Sequence, residues 1–164
     1  VDQGPGSYTG LRVGLTCAKA LAFAAGCSLA TAGSLEVVAY NAPPDEQFVE
    51  VAFDAARGQV FACQFRRNGP TWVALHETRI VEANEWARSL YPAALVIGPA
   101  LTKYRDLVAP QFHVANEPDW WPRAEVITQL GLRQFRTAPL PEYFTLEPLY
   151  LRPSAAEEKR ELPR

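Results

Sequence analysis

No apolar run in this chain of 164 residues approaches the roughly 20 residues that a membrane span requires, so no transmembrane helix is expected. Cysteine is scarce: Cys17, Cys27 and Cys63 are odd in number and lack metal-type spacing. Two of them fall in or beside an apolar helical pattern, which predicts reduced thiols and a cytoplasmic protein. The two histidines, His76 and His113, have no cysteine or carboxylate at ligand distance in sequence, so no metal site is predicted. An excess of one charge is also missing. The formal net charge is −2, and Arg66-Arg67 and Arg133/Arg136 are too sparse to form an RNA groove. Ser7 and Ser34 have no recognisable histidine base, which leaves a serine nucleophile unsupported.

What the chain does have is a glycine-rich turn running into an apolar helix, GPGSYTGLRVGLTCAKALAFAAG at 4–26. Helix N-termini attract anions through free N–H groups and the macrodipole. Yet no Lys-Ser/Thr follows the glycines, and the spacing is not that of a dinucleotide fingerprint. The turn therefore reads either as a phosphate cradle at Gly4, Gly6 and Ser7 or as a sharp bend that lets the helix pack on a sheet; spacing favours the bend. Thr9 is the expected N-cap, and Gly26 suits the left-handed position after a helix running to about Ala25. Gly10, Gly14, Ala18 and Ala22 recur every four residues as a smooth strip suited to close contact. Arg12, Thr16, Lys19 and Phe23 form a second stripe, mostly polar. A helix apolar or small nearly all round is buried or meets a partner.

Ser34 is the expected cap of a short helix at 35–40, and Asn41-Ala-Pro-Pro-Asp45 marks a boundary. Strands are predicted at 48–53 and 60–66, joined by a hairpin at 54–59, with further strands near 72–76, 94–98 and 112–114. Helices are predicted at 84–90, 101–108 and 123–136, the last with Pro122 at its start. The tail at 154–164 is polar and aperiodic. Alternating strands and helices define an α/β class. Asp54, Arg57 and Gly58 in the hairpin are compatible with phosphate or magnesium binding, or with a turn aspartate accepting backbone N–H groups beside a solvated arginine; the turn is favoured. Trp120 and Trp121 read as a base-stacking pair or, preferably, as a plug in a seam.

GPGSYTGLRVGLTCAKALAFAAG, then SLEVVA, FDAARGQVF, PRAE at 122–125 and EPLYLR at 147–152, resembles the TsaB (YeaZ) family of threonylcarbamoyladenosine biosynthesis, in order and over nearly the whole chain. The resemblance implies an actin/Hsp70-like (ASKHA) ATPase-type fold of two lobes, each a mixed sheet with helices. Residues 1–45 would be the remainder of a first lobe whose front strands would precede Val1. Residues 46–164 would form the second lobe, with a C-terminal helix and the polar tail. The superfamily's phosphate hairpin is glycine-rich, whereas Ala55, Ala56 and Arg57 occupy it here, so its backbone cannot come close to phosphate. A similar segment in TsaD proteins leads to a metal-binding histidine pair, and Ser34 and Val38 stand where those histidines would fall.

The resemblance thus implies a non-catalytic subunit without catalytic residues, metal or resident cofactor, with ATP bound at most at a composite interface. It would support threonylcarbamoyl transfer to adenosine in tRNAs reading ANN codons through a TsaD-like catalytic subunit. Also implied are a TsaE-like ATPase partner, pairing in homodimers and only indirect contact with tRNA. The interface would lie on Gly10, Arg12, Gly14, Thr16, Ala18, Lys19, Ala22 and Phe23. The alternative is a self-standing nucleotide-binding ATPase or glycoprotease-like hydrolase.

Overall fold

The computed structural model describes residues 1–152, so the tail predicted at 154–164 lies outside the described residues. Strand β1 (Asp2–Gly4) leads through the glycine turn into helix α1 (Tyr8–Ala25). Ser7 caps α1, its Oγ accepting the Gly10 N–H at 3.3 Å. The expected cap, Thr9, is already helical, and a cap must stand before the first helical residue. At the far end Gly26 takes φ 63°, and the Cys27 N–H reaches Ala22 O at 3.1 Å, the closing bond of a left-handed helix stop. The chain then forms β2 (Ala32–Gly33), parallel to β1, so α1 is the crossover of a βαβ unit.

Helix α2 (Ser34–Ala39) follows at once and has Gly33 at its N-cap position, without a side-chain bond. Ser34 is therefore not the cap. Its Oγ donates instead to Asp2 Oδ1 at 2.7 Å, the same oxygen that accepts the Gly4 N–H at 2.8 Å.

The larger sheet has the order β5 (Thr71–Ala74), β4 (Gln59–Asn68), β3 (Phe48–Asp54), β7 (Leu95–Ile97). Alternating apolar residues make β3 (Phe48–Asp54) and β4 (Gln59–Asn68) a hairpin in register from Phe48↔Arg66 to Asp54↔Val60. One edge of β4 carries two short strands in tandem. Strand β5 (Thr71–Ala74) pairs with residues 65–68 and β6 (Arg79–Glu82) with residues 59–62. Strand β6 was not predicted: with Arg79 and Glu82 at its ends it has little strand pattern of its own and owes its form to pairing.

On the opposite side β7 (Leu95–Ile97) runs parallel to β3. Gly98 ends it at φ +126°, where an added Cβ would stand 2.3 Å from Ala52 O. The strand predicted at 112–114 contributes one parallel bridge, Val96↔Val114.

Helix α3 spans Ala83–Arg88, and α4 spans only Leu101–Tyr104 before tightening into a 3₁₀ turn at Arg105–Leu107. Pro110 lies just beyond and disfavours helix for the residue before it. Helix α5 (Ala124–Thr137) is capped at Arg123, so Pro122 stands one residue ahead of the cap instead of inside the helix. The main core joins Leu35 and Val38 of α2, Val49 and Val51 of β3, Val96 and Ile97 of β7, Trp86 and Leu101. Burying side chains of this size is worth roughly 1.5–3 kcal/mol each. A smaller cluster of Ala32, Val37 and Val126 fastens β2 and α2 to α5.

Candidate functional site

The βαβ unit and the β3–β4 hairpin bring the glycine turn and the 54–59 loop to face each other. Between them lies a cleft of about 520 Å³ lined by Gly6, Ser7, Asp54 and Arg57, among others. Gly4 lies behind it, packed on Leu11, and Gly58 is not among the lining residues.

Asp54 accepts the Ala56 N–H at 3.0 Å, the turn role favoured from sequence, and also faces Tyr104 OH at 3.3 Å and Lys103 Nζ at 3.4 Å. Ala56 and Arg57 both take positive φ, 60° and 53°, ahead of Gly58 at 82°. Left-handed backbone at consecutive residues with side chains costs energy that the surroundings must offset. The hairpin therefore carries side chains where close phosphate approach would need bare backbone.

The third wall of the cleft is the segment 149–152, which the sequence reading did not assign to the site. Tyr150 stacks on Tyr8 with centroids 4.5 Å apart, and Arg12 donates Nε to Tyr150 OH at 2.8 Å and Nη2 to Tyr8 OH. Arg152 donates Nη1 to Ala55 O at 2.8 Å and Nη2 to Gln59 Oε1. The signal was faint: Tyr150 and Arg152 are two residues apart in a segment without periodicity, a spacing that shares a side only when the chain is extended.

The proposed contact helix divides along its length. Four residues advance an α-helix by about 40° more than one turn, so a four-residue repeat drifts around the cylinder. Gly10 and Gly14 are exposed, Ala18 is half-buried and Ala22 is buried. An added Cβ at Gly14 would meet nothing within 4 Å. Beside these glycines, Val13 (58% exposed), Cys17 and Leu21 (70%) continue an open, uncharged face. The other stripe is only partly open. Arg12 is held by the two tyrosines, Lys19 donates to Phe144 O at 3.1 Å, Thr16 is exposed and Phe23 is 69% exposed.

Ser34 is occupied with Asp2 and Val38 is fully buried in the core, so neither side chain faces the cleft as a ligand. Among the described residues, no three His, Cys, Asp or Glu side chains gather as a metal would require. Nor is any helix there long and apolar enough to cross a membrane.

Two mixed sheet-and-helix parts, with a glycine turn facing a hairpin across a cleft, fit the actin/Hsp70-like class of fold. Solved structures bear this out. YeaZ from Pseudomonas aeruginosa superposes with a TM-score of 0.77 at 20% identity, covering 92% of this chain and 72% of that one. A second, described as an uncharacterized protein with similarity to peptidase YEAZ from Pseudomonas aeruginosa, gives 0.77 at 22% identity over 92% and 71%. At such identities the likeness concerns the fold.

The family model for TsaD, tRNA N6-adenosine threonylcarbamoyltransferase, matches residues 1–119, and the chain belongs to that family. Within it the resemblance to TsaB (YeaZ) proteins holds. The tRNA threonylcarbamoyladenosine biosynthesis protein TsaB of Bacillus subtilis (strain 168) is 41% identical over 70 residues, 42% of this chain. That match spans 31% of the relative's own length.

Proposed function

We propose that this chain is a non-catalytic partner subunit in the cytoplasmic synthesis of threonylcarbamoyladenosine on tRNAs reading ANN codons. In this reading it docks on a TsaD-like catalytic subunit through α1, a similar surface serves self-pairing, and the subunit helps recruit a TsaE-like ATPase. The open face of α1 carries the proposal. Gly10, Val13, Gly14, Cys17 and Leu21 present an uncharged surface on which nothing covers Gly14, and small residues admit a partner backbone closely. Phe23 supplies an exposed aromatic anchor at one end. Contact with tRNA would come through the partner.

The test is copurification with a TsaD-like protein, followed by tRNA modification assayed with and without this chain. Retention on the partner and modification that depends on both proteins are the expected results. Modification by the partner alone at the full rate would overturn the reading.

One observation favours a second reading, that the chain itself binds a nucleotide: both loops line a single cleft. Against it stand the alanine and arginine side chains of the hairpin and the use of Ala55 O by Arg152. Calorimetry with ATP on the isolated chain separates the two; the first reading expects no measurable heat.

A further inference from the structure

Residues 146–152 contain no helix or strand, yet most of their recorded bonds reach distant parts of the chain. Toward the smaller sheet, Gln3 Nε2 donates to Glu147 O at 2.8 Å, and the Leu149 N–H donates to Gln3 O at 2.8 Å. The segment thus lies alongside β1. Gly4 lets it come that close: at φ +111°, an added Cβ there would stand 3.1 Å from Leu149 O. Next to this contact, Tyr150 lies on Tyr8 and is gripped by Arg12.

Two residues on, Arg152 reaches across to the hairpin. It bonds Ala55 O and the side chain of Gln59, whose Nε2 in turn donates to Glu82 Oε1 at 2.7 Å. These bonds engage the two ends of the turn containing Ala56 and Arg57, the residues held in left-handed backbone. A charged donor on a backbone carbonyl is among the stronger hydrogen bonds available to hold such a conformation.

We propose that residues 147–152 are a clasp: Tyr150 anchors one end on α1, Arg152 anchors the other on the hairpin, and together they set the opening between the glycine turn and the hairpin. The clasp lies in the wall of the cleft, so releasing either end widens the cleft and lets the hairpin relax. This inference is independent of any partner or nucleotide.

The experiment is amide hydrogen exchange on the whole chain, followed at Ala55, Ala56 and Gln59, together with trypsin cleavage after Arg57. In Arg152→Ala these amides exchange roughly tenfold faster, the scale expected from losing a charged-donor bond, while the paired interior of β3 and β4 keeps its protection. Cleavage after Arg57 accelerates in parallel. Tyr150→Ala, altered far from the hairpin in contact terms, produces the same loosening. Unchanged hairpin exchange in Arg152→Ala overturns the proposal. So does loosening in Arg152→Ala that Tyr150→Ala fails to reproduce, since Arg152 would then be only a local brace. Should Arg152→Ala not fold, Arg152→Lys retains the charge without the two-pronged donor; a loosened hairpin on an intact sheet that Tyr150→Ala reproduces supports the clasp, and an unchanged hairpin, or loosening in the Arg152 variant alone, refutes it.

Discussion

Trp86 of helix α3 donates its indole N–H to a carboxylate oxygen of Glu50 on strand β3 at 3.2 Å, a buried bond between helix and sheet. Glu50 sits mid-strand and is 3% exposed, with the Arg79 guanidinium 3.8 Å away. Burial pushes its pKa above the ordinary glutamate value of 4.5, against the pull of Arg79, the Trp86 bond and His76. The folded state thus holds this proton more tightly than the unfolded chain does. Stability from this group is fully present below the unfolded value and is lost as pH rises through the raised folded value. Denaturant midpoints measured upward from pH 4.5 should fall across that window, and Glu50→Gln should flatten the decline. Glu36, also raised by burial, leaves a residual slope of the same sign.

Gly98→Ala should be among the most damaging single-methyl changes in the chain. The new Cβ would meet the Ala52 carbonyl oxygen at 2.3 Å and its nitrogen at 3.0 Å, on backbone that is itself unfavourable for L residues. A loss of about 3 kcal/mol or more in urea unfolding is expected.

The helix start offers a paired test. Ser7→Ala removes the side-chain acceptor of the Gly10 N–H and should cost about 1 kcal/mol, whereas Thr9→Ala, past the cap, should cost a few tenths at most. Equal losses in thermal or denaturant melts would contradict the assignment of Ser7.

Position along α1 decides whether a substitution probes folding or docking. Gly14→Ala fills empty space on an exposed helical surface and should stabilise the chain by about 0.5–1 kcal/mol. Gly14→Leu should leave the melt intact yet weaken association with a TsaD-like partner at least tenfold, measured by calorimetry. Ala22→Leu, at a buried site, should destabilise the fold itself by about 1–3 kcal/mol.

Much of this architecture is legible before any coordinates. The alternation at 48–53 and 60–66 and the turn chemistry between them define the β3–β4 hairpin, and Gly26 marks the end of α1 to the residue. What escapes is what depends on distant neighbours. Strand β6 takes its form from β4, and the clasp takes its form from Gln3, Tyr8 and Ala55, more than 90 residues away in sequence. The strip at Gly10, Gly14, Ala18 and Ala22 is visible as a repeat, but only the three-dimensional winding reveals that its two ends do different jobs. Arg12 and Lys19 look free as sequence; the returning segment 144–150 engages both.

The uneven placement of the three thiols supplies a built-in footprint. Cys17 lies on the open face of α1, Cys27 is exposed beyond its end, and Cys63 is buried with its pKa pushed up to about 11, so it reacts least. The ratio of alkylation at Cys17 to that at Cys27 thus reports whether the helix face is covered, with no engineered label. Shielding of Cys17 alone on mixing with another protein would locate that protein to within about one helical turn.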